Sequence, residues 1–185
     1  MIVLAVIGLL SFGATTQAQI NYSSTTNSSI YFDGAGRFVF NAGVNNFQIT
    51  SGTAAGLFGQ LTGIFTIGTI TTDTASTATV TGSGTLVIFD GNNNLTATLE
   101  CTDIQQVGTG GSLNVNGAVN ITAVTYAGTN PDLQALATAG SGSNVLSFHF
   151  NPAMSLSTLA NGGGPNQASF SGTIANSSPT PTPTP

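Results

Sequence analysis

Short clusters of glycine, asparagine and aspartate divide this chain into runs rich in Val, Ile, Thr and Leu, and that punctuation constrains the fold more than any other feature. The clusters are Asp33-Gly34, Asn41-Ala42-Gly43, Gly82-Ser83-Gly84, Asp90-Gly91, the stretch 108–111, Asn116-Gly117 and Gly140-Ser141-Gly142. Turn signals about eight to twelve residues apart leave room for single strands between them and indicate an antiparallel sandwich or barrel. The expected fold class is all-β, an antiparallel β-sandwich of jelly-roll-like or Ig-like kind.

The clearest strand is 95–102, where alternation puts Leu95, Ala97, Leu99 and Cys101 on one face and polar residues on the other. Cys101 is therefore expected in the core. The run 85–89 precedes it, joined through Asp90-Gly91-Asn92-Asn93, residues that tolerate the positive φ of a hairpin turn. Further strands are expected at 119–126, 145–150 and 168–174. One segment departs from the pattern. Asn130 supplies an N-cap, Pro131 the first helical position, Asp132 to Ala139 good helix formers, and Gly140 a C-terminal stop, which predicts a short helix near 131–139. No repeat of fixed period is visible, which argues against solenoids and propellers.

Charged residues make up only 4% of the 185-residue chain, against roughly 25% in ordinary soluble domains. Hydroxyls and amides must supply the polar surface. The abundance of Val, Ile, Thr and Phe still argues for a packed fold rather than disorder. Arg37 is the single basic side chain and the net charge is −5, so the chain cannot neutralise a row of phosphates and nucleic-acid binding is excluded. The absence of lysine also excludes Schiff-base catalysis and P-loop phosphate binding. Cys101 stands alone, so no intramolecular disulfide and no cysteine-rich metal site is expected.

Residues 2–14 form an apolar run that ends in Thr15-Thr16-Gln17-Ala18. It is too short to span a membrane and has the length of a signal-peptide core. Cleavage after Ala18 places Thr16 and Ala18 at the small-residue positions; the departure from the usual pattern is that no Lys or Arg precedes the run. At the other end Pro and Thr alternate from Pro179 to Pro185, a composition that favours extended polyproline II. The expected organisation is a signal peptide at 1–18, a single β domain at 19–175 and a Pro/Thr-rich linker or tail at 176–185. A domain of that length buries roughly 70% of its unfolded surface. The expected location is extracellular, secreted or on the cell surface, with no membrane span in the mature chain.

Candidate sites are few. Asp90, Asn92 and Asn94 present oxygens at alternate positions like the start of a calcium loop, but Leu95 occupies the glycine position and Cys101 the bidentate glutamate position. A hairpin turn explains the same residues. His149 is expected to face outward with Ser147, opposite Leu146, Phe148 and Phe150; no G-x-S-x-G elbow accompanies it, so a secreted hydrolase is the least supported reading. Glu100 and Asp103 are the nearest acidic pair, and their odd separation places them on opposite faces of a continuing strand, against joint action as a glycosidase pair. No catalytic, metal-binding or cofactor-binding residue is expected, and no enzymatic activity. For glycan binding the chain has no Trp, and Tyr126 is the one ligand-binding candidate, sharing a face by period with Asn120, Thr122 and Val124. Thr77, Thr79 and Thr81, and Thr96 with Thr98, line single strand faces, as expected of a good β-forming surface residue.

The stretches Thr81-Gly82-Ser83-Gly84-Thr85-Leu86, Asp90-Gly91 leading into Leu95-Thr96-Ala97-Thr98-Leu99, Asn120-Ile121-Thr122 to Tyr126-Ala127-Gly128, Asp132-Leu133-Gln134-Ala135-Leu136, and Phe170-Ser171-Gly172-Thr173-Ile174 together resemble secreted β-rich ectodomains of PEP-CTERM-type, exosortase-sorted bacterial proteins. The resemblance runs from about Gly82 to Ile174. It implies an exported surface or matrix component, with extracellular polysaccharide or other surface proteins as partners, and it assigns no site residue. This sequence departs from the family in lacking the Val-Pro-Glu-Pro signature with its apolar span and basic end. The resemblance thus implies export without the sorting step. The alternative reading is a glycan-binding module of a larger secreted protein.

Overall fold

A computed structural model describes residues 18–40, 43–72, 76–107 and 113–177, apart from the side chains of 113–116 and 118. The expected leader and tail lie outside the described residues except at Ala18, Asn176 and Ser177, as do the expected turns at 41–42 and 108–111. The alternation read at 95–102 is realised in β7 (Asn94–Gln106), whose Leu95, Ala97, Leu99 and Cys101 are buried while Thr96 and Glu100 lie outside. Asp90-Gly91 turns the chain back from β6 (Ser76–Phe89), with Gly91 at φ 103°. The same logic repeats along the molecule, and the fold is all-β.

The remaining strands are β1 (Gln19–Ser24), β2 (Ile30–Phe32), β3 (Arg37–Phe40), β4 (Phe47–Ile49), β5 (Phe58–Thr72), β8 (Leu113–Thr125), β9 (Gly142–His149) and β10 (Asn166–Asn176). β1 and β2 lie end to end along one edge of β10, whose other edge pairs with β9. β3 and β4 lie end to end along one edge of β5, whose other edge pairs with β6. Since β1 also pairs with β4, and β2 with β3, the ten strands occupy eight positions in one sheet that returns on itself. Every ladder is antiparallel and successive positions are neighbours, the arrangement of an up-and-down barrel.

The two facing sheets of the expected sandwich are therefore not formed. Frequent turns and short alternating strands serve both architectures equally; what separates them is whether the last strand finds the first, and turn spacing carries no information about that. Here Gln19 pairs with Ala175 and Ser23 with Ser171, so neither the first strand nor the last is left as a free edge.

The interior is filled by aromatic rings, as an eight-position barrel allows. Phe38 stacks on Phe65 with ring centroids 5.1 Å apart, and Phe40 meets Phe170 edge-on at 5.3 Å. Two strand interruptions are closed by side chains. The buried Asn46 amide donates to Leu61 O (2.7 Å) and accepts from Leu61 N (2.9 Å), replacing strand backbone between β3 and β4. Ser24 Oγ accepts from Phe170 N at 3.2 Å where β10 changes partner from β1 to β2.

Each end of the barrel carries a short helix. At one end α1 (Pro131–Ala139) matches the expected helix, with Asn130 accepting from Leu133 N and Gly140 left-handed at φ 69°; its Leu133 and Leu136 are buried. At the other end α2 (Leu156–Asn161) was not expected. Ser155 caps it through a 3.0 Å bond from Thr158 N, and Leu156, Leu159 and Ala160 anchor it. A six-residue helix held by burial carries too little periodicity to be read from sequence. Ala18 and Asn176 are bonded to each other at the α1 end.

Inside the wall Tyr22 donates to Asn144 Oδ1 at 2.8 Å, joining β1 to β9 across β10. Burial pushes the Tyr22 phenol well above its ordinary range, and Asn144 Nδ2 has no hydrogen-bond partner among the described residues. Removing the hydroxyl leaves the whole Asn144 amide unpaired. Tyr22→Phe is expected to destabilise the protein by about 1–3 kcal/mol in urea unfolding, and adding Asn144→Leu to recover most of it, because a buried polar pair costs most when only one partner remains.

Candidate functional site

Tyr126, the expected ligand-binding residue, follows directly on β8, and β8 contains a bulge that the strand period did not anticipate. Thr122 opposes Thr98 but Thr125 opposes Thr96, so β8 carries one residue more than β7 here, with Ala123 at φ 51°. Asn120 points outward while Val124 turns inward, so Tyr126 does not share an outer face with them; it packs half-buried against the core. Its hydroxyl donates to Asp90 Oδ2 and accepts from Asn130 N at 3.0 Å. Tyr126 thus ties the β6–β7 turn to the start of α1.

Asp90 is fully engaged by the protein. Oδ1 accepts from Asn92 N (2.8 Å) and Asn93 N (2.7 Å), and Oδ2 takes the Tyr126 hydroxyl. This is a closed Asx turn. The Tyr126 bond and the two amides hold the Asp90 carboxyl below its ordinary range, while desolvation, then Asp90, raises the Tyr126 phenol. Nearby, Asp132 Oδ2 accepts from Thr53 N at 2.6 Å, fastening the loop before β5 to α1. Carboxylates at this end secure loops. Among the described residues no three His, Cys, Asp or Glu side chains come together as metal ligands.

His149 faces outward as expected, half-buried, opposite Ser169 on β10. Its Nε2 lies 3.4 Å from Ser171 Oγ. A shallow depression of about 450 Å³ surrounds them, lined by Ser23, Ser24, Ser169 and Phe170. Among the described residues no carboxylate lines it to orient the imidazole, and the Ser24 hydroxyl already accepts from Phe170 N. The pair lacks the third member that gives a histidine its role as base.

Glu100 and Asp103 correct a second expectation. Between Cys101 and Asp103 β7 gains a residue on β8, so Thr102 is extra and Glu100 and Asp103 both point outward. They stand three residues apart, about 10 Å along the strand, on the convex outside of the barrel rather than facing each other across a cleft. Cys101 remains inside. Burial, then the nearby Asp103 charge, pushes its thiol up to about 12.

The feature that sequence reasoning missed is the outer wall of β5 to β8. Thr62, Thr85, Thr98 and Thr122 are paired in register across four neighbouring strands, and Gln60, Val87, Thr96 and Thr125 form the adjoining row. Hydroxyls bond across the strands, Thr62 to Thr85 at 2.6 Å and Thr96 to Thr125 at 2.7 Å. Next to these rows Phe58 and Phe89 oppose each other, 41% and 49% exposed. Alternation marks Phe89, since Leu86 and Ile88 take the inward positions. Nothing in the sequence places Phe58 beside it, because that pairing is a matter of register. Comparison of the chain with protein-family models, curated proteins and solved structures finds no match.

Two solution measurements follow. Folded Asp90 binds its proton at lower pH than unfolded Asp90, so its contribution is intact above the ordinary aspartate value of about 3.9 and is lost as pH falls through the folded value. The urea midpoint should drop more for the parent than for Asp90→Asn between about pH 5 and about pH 3. The Cys101 thiol should react with a thiol reagent at about pH 8 only once urea unfolds the barrel; fast reaction in native buffer would contradict its inward position.

Proposed function

We propose that the protein is an exported, non-enzymatic component of the bacterial cell surface or extracellular matrix, acting through the outer wall of its barrel. The observation that carries this reading is the β5 to β8 face. Its rows present hydroxyls, amides and apolar groups, with Glu100 and Asp103 of β7 as charges on the face. Such a face loses little on contact with another neutral polar surface, since few ions must shed their hydration. A surface of this kind suits extracellular polysaccharide or other surface proteins.

The placement of the ends supports the same reading. β1 begins at Gln19, where the expected leader ends, and the Pro/Thr stretch begins beside it just past Asn176. Ala18 and Asn176, the described residues next to the expected leader and tail, thus lie together at one end of the barrel.

The glycan-binding alternative is favoured by one specific observation, the exposed Phe58–Phe89 pair flanked by Gln48, Gln60 and Asn94. Adjacent aromatic faces with amides at their rim match the apolar faces and hydroxyl edges of a sugar chain. Tyr126, with its hydroxyl committed, matches less well.

Fractionation tests the exported role: the expected outcome is a processed chain beginning at Gln19 in the surface or secreted fraction. A cytoplasmic protein retaining Met1 would overturn it. Co-sedimentation with the producing cell's own polysaccharide tests the wall, and Phe58→Ala with Phe89→Ala is expected to weaken binding about tenfold while leaving the urea midpoint nearly unchanged.

A further inference from the structure

At the end of the barrel opposite Ala18 and Asn176, α2 leaves Thr69 and Thr72 at the rim of β5 exposed. A cleft of about 620 Å³ lies between α2, the far end of β5 and the turn before β3. That volume falls in the range of small-ligand sites, about 300–1,000 Å³, and barrel mouths are a common place for them.

The cleft is built by a specific local device. Ile67 opposes Val80 but Ile70 opposes Ala78, so Gly68 and Thr69 together face Thr79 alone. This bulge shifts the strand's alternation at the rim. Ile67 stays in the core and Ile70 is half-buried, while Thr69 and Thr72 are exposed. Across from them Ser157 and Asn161, one helical turn apart on α2, present a hydroxyl and an amide. The helix is held rigidly for the purpose: three of its side chains are buried, and Gln106 Oε1 accepts from Leu156 N at 3.0 Å.

The lining chemistry selects the ligand class. Among the described residues no Asp, Glu, Arg or His lines the cleft, and there a charged ligand would lose hydration without gaining a partner. A purely apolar ligand would strand the hydroxyls and amide. What fits is an uncharged molecule with hydroxyls along its edges and C–H groups on its faces. The Ile67 and Ile70 floor takes the faces, and Thr69, Thr72, Ser157 and Asn161 take the edges.

We propose that this cleft binds the neutral sugar end of a polysaccharide chain, as a site separate from the β5 to β8 wall. It lies roughly 35 Å of strand from the end where Ala18 and Asn176 meet, taking β10 as the measure. A barrel held by its terminal segments would point this cleft outward.

The test uses the full chain and defined probes: dextran, cello-oligosaccharide and chito-oligosaccharide as neutral glycans, and alginate as the charged control, read by saturation-transfer NMR and titration calorimetry. The expected result is binding of at least one neutral glycan, weakened about tenfold or more by Thr69→Trp and by Asn161→Trp, with Phe58→Ala plus Phe89→Ala reading any contribution of the wall separately. Both tryptophans enter at exposed positions, and circular dichroism confirms that each variant is folded; either one suffices if the other fails to fold. Absence of neutral-glycan binding, preference for alginate, or full binding by a folded cleft variant overturns the proposal. Binding lost only in the double phenylalanine variant also overturns it and assigns the glycan to the wall. Loss only in the cleft variants supports the cleft while counting against the wall as a glycan site.

Discussion

The pairing of β10 with β1 is the interaction on which the rest depends. The Gln19–Ala175 to Ser23–Ser171 ladder, continued by the shorter pairing of β2 with the other end of β10, joins the beginning of the sheet to its end. Without it β1 and β10 would each present an open row of amides and carbonyls, on a chain with almost no charge to discourage edge-to-edge association. Closure also encloses the lumen. Phe38 and Phe40 of β3 meet Phe65 of the neighbouring β5, and Phe40 reaches Phe170 of β10 past β2, so the rings pack together on the inner face of the sheet. The cost is kinetic, since contacts this distant in sequence must wait for slow loop closure.

A closed barrel changes what low charge means. An open sheet so poor in Lys and Glu would invite aggregation; a wall with no edge can be covered by Thr, Ser and Asn alone. The threonines of β5 to β8 bond to one another across strands, which stabilises the wall and keeps its chemistry neutral. The same neutrality extends to the α2 cleft. Hydroxyls, amides and a few apolar faces recur across the molecule, while Asp90 and Asp132 fasten loops at the α1 end and Asp33 fastens the β2–β3 turn at the other.

The β-bulges are the points where local and global structure part. In β5 a bulge opens the cleft, in β7 it brings Glu100 and Asp103 to one side, and in β8 it turns Tyr126 into the molecule. In each case a reading at strict period two gives a definite face for every residue, and one extra residue reverses the faces beyond it. The expected common face of Tyr126 with Asn120, Thr122 and Val124 is lost for this reason. Its signal, a tyrosine in a polar strand, was genuine; the side chain simply lay past the bulge.

The sequence by itself determined the all-β class, the inward Cys101, the outward His149, the Asp90-Gly91 turn and the bounds of α1, because each depends on a neighbour within a few residues: alternation, an Asx turn, a proline and a glycine at the two ends of a helix. Only the tertiary structure decided that the strands close into one barrel instead of facing as two sheets, that Phe58 meets Phe89, that α2 forms, and that a cleft opens beside it. These depend on register and on burial against distant residues. A change of one residue in register leaves every local preference satisfied while moving every side chain to the other face, so the choice is made by the packed lumen as a whole.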